Sequence, residues 1–149
     1  MTKLTLFILI LLPLANISAQ LNPVTWTYDA VKINDQEYDL RMTAKCEGGW
    51  YIYSQYLESE DGPIATSFSF EPNANLSLVG KITESGHKKE GFDEMFGMNI
   101  IKFSDEVVFT QRIRILADTP SLGGVVTYMT CNNEKCLPPK DVTFNILLP

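Results

Sequence analysis

Two of the three cysteines in this 149-residue chain, Cys131 and Cys136, are separated only by Asn132-Asn133-Glu134-Lys135. Thiols this close can form a disulfide, hold a soft metal or exchange disulfides with another protein, and local geometry decides among these. The four intervening residues are rich in turn formers and lie between a β-branched run and a β-rich one. They predict a hairpin with the thiols at facing ends, where opposed Cα atoms lie ~4.5–5.5 Å apart, within reach of a disulfide. A bond closing so short a loop takes little entropy from the unfolded chain, because that gain grows with the logarithm of loop length. At the exposed end of a hairpin it is also open to reduction. Spacing by itself leaves bracing and chemistry both open. Lys135 favours a Cys136 thiolate and Glu134 opposes it, so the adjacent charges set no net direction. Leu137-Pro138-Pro139 gives up two backbone donors, which makes the chain after Cys136 edge-like and accessible.

The elements that must position this pair are strands. The sequence has short β-rich runs between turn signals and no long amphipathic helical pattern. The expected strands are Val24–Ile33, Tyr38–Cys46, Trp50–Gln55, Thr66–Phe70, Leu76–Lys81, Met98–Phe103, Glu106–Ala117, Gly123–Cys131 and Val142–Leu147. Nine strands at this spacing predict an all-β, antiparallel sandwich, with sequence neighbours mostly paired. Turns are expected at Asn34-Asp35-Gln36, Glu47-Gly48-Gly49 and Ser104-Asp105, because Asn, Asp and Gly tolerate positive φ. Val142, Phe144 and Ile146 should share the core face of the last strand. In the strand carrying Val107, Phe109, Ile113 and Ile115, a bulge near Thr110–Arg112 is expected to interrupt the apolar face. Glu84–Gly97 is charged and Gly-punctuated yet contains Phe92, Met95 and Phe96, which reads as a surface loop with its aromatics against the core rim.

Residues 1–19 read as an export signal: Lys3 supplies the positive start, Leu4–Leu14 the apolar run, and Ile17-Ser18-Ala19 the cleavage site. That run is too short to span a ~30 Å hydrocarbon core comfortably, and no stop-transfer charges follow it. The remaining residues, 20–149, make one ordinary domain that can bury a core without disulfide staples. Loss of Lys3 leaves eleven basic residues against eighteen acidic, a net charge of about −7. An acidic chain without a Lys/Arg cluster does not fit nucleic acid or anionic membranes. An oxidising compartment would cross-link the pair on export.

At these residues the sequence resembles a known family, the N-terminal periplasmic domain of DsbD-type thiol:disulfide interchange proteins. The segment Val126-Thr-Tyr-Met-Thr-Cys131-Asn-Asn-Glu-Lys-Cys136-Leu-Pro-Pro-Lys is similar to the family's active-site hairpin. Gly49-Trp-Tyr-Ile-Tyr53 resembles the aromatic strand beside it, and Asp93-Glu-Met-Phe-Gly97 the cap loop that shields the cysteines. The resemblance implies an immunoglobulin-like β-sandwich in the bacterial periplasm, acting as a protein-disulfide reductase component. It would take electrons from a thioredoxin-like donor and pass them to oxidised periplasmic proteins. Cys136 inherits the role of interchange nucleophile and Cys131 that of resolving partner. Asp93 and Glu94 become residues that tune or relay protons, and Tyr51 and Tyr53 line the site. Two departures stand out: a member of the family has one more residue between its cysteines, and its cap presents Phe where this chain reads Met95 followed by Phe96. The chain ends at Pro149 without a transmembrane electron carrier or thioredoxin domain, so both are expected on separate proteins. A monomer without cofactor is expected.

Other residues carry less. Cys46 reads as a small buried strand residue. His87, the only histidine, sits among charges and supplies no four-ligand zinc set with the cysteine pair. Copper(I) is a rival ligand, because soft thiolate and thioether donors select it and Met95, Met98 and Met129 lie in range by sequence. A further rival is a non-catalytic binding module with a structural disulfide. Trp26 and Tyr28 read as core or interface aromatics. One histidine among charges makes no Ser-His-Asp site, and Glu58, Glu60 and Asp61 read as a solvated turn.

Overall fold

A computed structural model describes residues 21–149, so the export signal expected at 1–19 lies outside the described residues. The described residues form nine strands: β1 Val24–Lys32, β2 Glu37–Cys46, β3 Tyr51–Tyr53, β4 Ser67–Phe70, β5 Leu76–Asp93, β6 Met98–Ile115, β7 Ser121–Tyr128, β8 Thr130–Cys131 and β9 Lys140–Leu147. They form two antiparallel sheets. The larger runs β1-β2-β6-β3-β8, with β5 on the other edge of β6, and the smaller runs β4-β7-β9. The inner faces pack as a sandwich on a core that includes Leu40, Met42, Ile52, Phe103, Val107, Phe109 and Ile113 from one sheet. Leu122, Val126, Phe144 and Ile146 come from the other. Phe109 is fully buried and meets Trp26, Phe68 and Phe103 at ring-centroid distances of 5.8, 5.1 and 6.3 Å. Aromatic pairs of this kind contribute about 0.5–1.5 kcal/mol each beyond their buried area.

Strand β6 is the longest shared element, and its pairing corrects four expectations. First, Ser104-Asp105 is not a turn: the strands expected at Met98–Phe103 and Glu106–Ala117 are one. Asp105 and Glu106 are extra residues bulged out of β6 between the pairs Gly86↔Val107 and His87↔Ser104. Asp105 takes φ 62°, which a short polar side chain tolerates. Second, no bulge interrupts β6 at Thr110–Arg112. Val107, Phe109, Gln111 and Ile113 all point inward, and the irregularity belongs to β5, which places Gly80–Ile82 opposite Gln111. The buried Gln111 amide is satisfied, donating to the Val79 and Arg112 carbonyls at 3.1 and 2.7 Å.

Third, Glu84–Gly97 is mostly strand. β5 pairs with β6 as far as Asp93↔Met98, leaving only Glu94–Gly97 as a turn. An edge strand solvated on both faces needs no apolar alternation, so its composition reads as a loop. Phe92 is largely exposed rather than tucked into a rim. Fourth, sequence neighbours mostly do not pair: only β1–β2 and β5–β6 are hairpins. The turn at Glu47–Gly49, where Gly49 takes φ 85°, kinks the chain from β2 into β3. Both strands then lie end to end along the same edge of β6. The run expected at Gly123–Cys131 breaks at Met129, where the chain leaves the small sheet as β7 and joins the large one as β8. Val142, Phe144 and Ile146 do face the core.

The outer face of the large sheet differs between its ends. At one end it carries cross-strand ion pairs: Arg112 to Asp39 at 2.5 Å, Arg114 to Glu37 at 2.8 Å, and Arg41 to Asp29. At the other end, beyond the β6 bulge, it carries the cysteines in an apolar cluster with Tyr51, Tyr53 and Ile100. The bulge depends on a missing side chain, since a Cβ on Gly86 would lie 2.4 Å from the Glu106 carbonyl oxygen and 2.8 Å from Val107 Cα. Main chain cannot step aside there. Gly86→Ala is therefore expected to destabilise the domain by about 1–3 kcal/mol in urea unfolding. Gly91→Ala, on the same strand with open space around it, should stay within about 0.5 kcal/mol.

Candidate functional site

Alternation along β3 divides its three buried residues between two cores. Ile52 points inward, whereas Tyr51 and Tyr53 point outward. In the antiparallel register Tyr51 lies between Ser104 and Cys131, and Tyr53 lies beside Lys102. These pairings collect Tyr51, Tyr53, Ile100 and Cys131 into a second buried cluster on the outer face. Leu57, Phe96, Met98, Met129 and Cys136 pack against it. The candidate site is this cluster.

Cys131 and Cys136 form a disulfide with Cα atoms 4.0 Å apart, closer than the sequence geometry predicts. The hairpin holding it is minimal. The two cysteines make an isolated bridge, the Asn132 amide donates to the Lys135 carbonyl at 2.9 Å, and the Leu137 amide donates to the Thr130 carbonyl at 2.9 Å. The Asn132 side-chain oxygen accepts from the amides of Glu134 and Lys135, closing the turn. The turn is anchored from below, where the Tyr51 hydroxyl donates to the Asn132 carbonyl at 3.2 Å and the Thr130 hydroxyl to the Tyr51 carbonyl at 2.9 Å. The two sulfurs are not equivalent. Cys131 is completely buried, and Cys136 is half-buried on the solvent side.

The β5–β6 turn reaches this side of the site. The Asp93 carboxylate accepts from the Met95 amide at 3.0 Å, and the Gly97 amide donates to the Asp93 carbonyl at 2.8 Å. Met95 Sδ then sits 3.9 Å from Cys136 Sγ while the rest of its side chain stays exposed. Phe96 goes the other way, edge-on to Tyr53 at 6.0 Å between centroids. Thus Met95 touches the disulfide and Phe96 anchors the turn that carries it. Glu94 is exposed and, among the described residues, its side chain makes no hydrogen bond. Asp93 is mostly buried and faces Lys102, with 3.5 Å between Oδ2 and Nζ. Met98 and Met129 pack against the same cluster.

Lys102 was not singled out by the sequence. Its ammonium lies 4.1 Å from the Tyr51 ring centroid, joining Asp93 of the turn to the tyrosine under the hairpin. The signal available was a lysine alternating with Ile100 in the short run Ile100-Ile101-Lys102-Phe103. Cys46 is a free thiol buried in the main core, where burial first and the Asp105 charge second push it up to about 11. His87 meets Asp105 at 2.7 Å, and Ser104 approaches the same ring nitrogen at 3.4 Å. A nucleophile and an acid sharing one nitrogen do not make a catalytic relay.

This site sits on an all-β antiparallel sandwich of the immunoglobulin-like kind, and its pair of sulfurs is joined as a disulfide. The family described as the N-terminal region of the thiol:disulfide interchange protein DsbD matches residues 19–148, and the chain belongs to it. Solved structures share the fold. The reduced N-terminal domain of DsbD from Neisseria meningitidis matches at TM-score 0.51 and 21% identity, over 82% of this chain and 84% of that one. The N-terminal periplasmic domain of ScsB from Proteus mirabilis matches at TM-score 0.53 and 20% identity, over 82% of this chain and 44% of that one. A complex between the N-terminal domains of DsbD and PilB from Neisseria meningitidis matches at 0.50 and 20%, over 85% and 87%. No curated protein matches the sequence significantly.

Tyr53 gives the site a pH signature. Its hydroxyl is buried and has no hydrogen-bond partner among the described residues. Burial first, then the neighbouring Tyr51, raises its ionisation far above the usual tyrosine value. The unfolded chain releases this proton near pH 10 and the folded one does not, so folding stability is complete below pH 10 and falls as pH rises beyond it. Tyr53→Phe is expected to be neutral to stabilising at pH 7, by up to about 1 kcal/mol, and to flatten the loss between pH 10 and 11. Urea unfolding across that range measures both.

Proposed function

We propose that this domain exchanges disulfides with partner proteins through Cys131 and Cys136 in the bacterial periplasm, after removal of residues 1–19 as an export signal. The observation that carries the proposal is the asymmetry of the pair: one sulfur is sealed in the second cluster and the other lies under a single exposed methionine. A thiolate of a reduced dithiol partner attacks Cys136 Sγ. The Cys131–Cys136 bond breaks, Cys131 leaves as a thiolate and takes up a proton, and a mixed disulfide joins Cys136 to the partner. The partner's second thiolate then attacks its own sulfur in that bond, leaving the partner oxidised. Cys136 departs as a thiolate and takes up a proton from solvent, so two electrons and two protons have reached the domain. The same steps in reverse reduce an oxidised client.

In this reading the donor is a thioredoxin-like protein, and the clients are oxidised envelope proteins. The complex of the Neisseria DsbD and PilB N-terminal domains supports a protein partner for a domain of this fold. Asp93 sets the turn that carries Met95, Tyr51 and Tyr53 form the floor, and Phe96 anchors the cover. Glu94 stands at the mouth, where a docking protein meets it. An apolar cover of this sort keeps stray thiols off the bond and lifts when a partner docks.

Trapping tests the asymmetry. Cys131→Ser, incubated in periplasmic extract, is expected to retain partners through Cys136 as bonds cleaved by dithiothreitol, and Cys136→Ser to retain none. Equal trapping by both, or by neither, contradicts the assignment. A reduction potential below about −300 mV, typical of inert structural bonds, would also end it. Met95→Ala should speed reduction of the wild-type disulfide by dithiothreitol several-fold, read as the rate of thiol appearance, with unfolding stability shifted by less than about 1 kcal/mol because the side chain is exposed.

A further inference from the structure

Beside the hairpin, opposite β8 in the same register, lies a cleft of about 400 Å³ lined by Tyr51, His87, Lys89, Lys102, Asp105 and Asn133, among others. Lys89 and Lys102 are directly opposed across β5–β6. Like charges in such a pair are destabilising, so the fold maintains an unfavourable arrangement at this point. Lys102 is partly offset by Asp93 at 3.5 Å. Lys89 has no ion pair among the described residues, since its neighbours Lys88 and Glu90 pair with each other at 2.9 Å. The only carboxylate lining the cleft is Asp105, which is held by His87 at 2.7 Å. The cleft is thus cationic in a chain whose formal net charge is −6.

Its position ties it to the disulfide. Asn133 lies between the two cysteines, and Tyr51 packs with Cys131 and holds the Asn132 carbonyl. We propose that this cleft is the docking site for an acidic side chain of the protein that exchanges disulfides with Cys136, with Lys89 and Lys102 receiving its carboxylate. The inference rests on the exchange function proposed above and names the charge of the partner surface that docks. Charge complementarity of this kind acts mainly on association rate and orientation, and it weakens with salt.

Two synthetic dithiol peptides test it, each containing Cys-Gly-Pro-Cys, one flanked by three Glu and the other by three Lys, alongside dithiothreitol as an uncharged reductant. At low ionic strength the acidic peptide is expected to reduce the oxidised domain about three- to tenfold faster than the basic one, and 0.5 M NaCl should largely erase the difference. Lys89→Glu should abolish or reverse the preference while leaving the dithiothreitol rate unchanged. Because Lys89 is exposed on an edge strand, urea unfolding should confirm an intact fold. If both peptides reduce the wild-type domain equally, or if Lys89→Glu leaves the preference intact, the cleft does not dock a carboxylate and the exchange function stands. If neither peptide nor dithiothreitol reduces the bond, the exchange function itself fails and the docking proposal with it.

Discussion

The site depends on one strand being buried on both faces over part of its length. From Met98 to Ser104, β6 places Phe103 inward with the main core and Ile100 outward with the cysteine cluster. Beyond the bulge at Asp105–Glu106 it is buried inward only, and its outer face carries arginines paired to acids. A two-layer sandwich normally leaves its outer faces to water. Here a stretch of outer face is buried because outward side chains of β3 and β8, strands of the same sheet, meet Ile100 and the β5–β6 turn there. The bulge is where one regime gives way to the other, and Gly86 makes room for it.

From that constraint the chemistry of the pair follows. A disulfide inside the main core would be sealed on every side, and one on an open strand would meet any thiol in solution. On the outer face, β3 supplies a floor of Tyr51 and Tyr53 that seals Cys131. The turn supplies a single flexible thioether against Cys136. The free thiol is kept apart from the pair by the same partition. Cys46 belongs to the main core, and with its ionisation pushed up to about 11 it carries almost no thiolate at neutral pH.

Much of this was legible in the sequence where one residue type meets one requirement. Alternation located the inward set Val142, Phe144 and Ile146, and the Asn-rich four-residue spacer announced the hairpin joining Cys131 to Cys136. The second half of β5 was not legible, because ESGHKKEGFD is an edge exposed on both faces and carries no period for burial to impose. Pairing order was equally silent. β2 and β3 follow one another along β6 instead of folding back, and nothing in Glu47-Gly48-Gly49 distinguishes a kink from a hairpin turn. The resemblance to exchange domains named Met95 and Phe96 together, but only packing separates them: the thioether reaches sulfur, and the ring finds Tyr53. Lys102 escaped notice because its partners, Asp93 and the Tyr51 ring, are brought to it by two different strands.

The division into two cores also bears on what opening the disulfide would disturb. Opening the disulfide changes contacts in a cluster of four buried residues, whereas the main core holds eighteen. The strand shared between them, β3, is pinned independently of the sulfurs. Ile52 is buried inward, the Ser54 amide donates to the Ile101 carbonyl, and the Ser54 hydroxyl and Gln55 amide both donate to the Glu84 carboxylate. Loosening of the hairpin therefore has no reason to propagate into the sandwich. Local opening at low cost, against a scaffold whose stability lies elsewhere, is the condition under which a short disulfide can cycle without unfolding the protein that carries it.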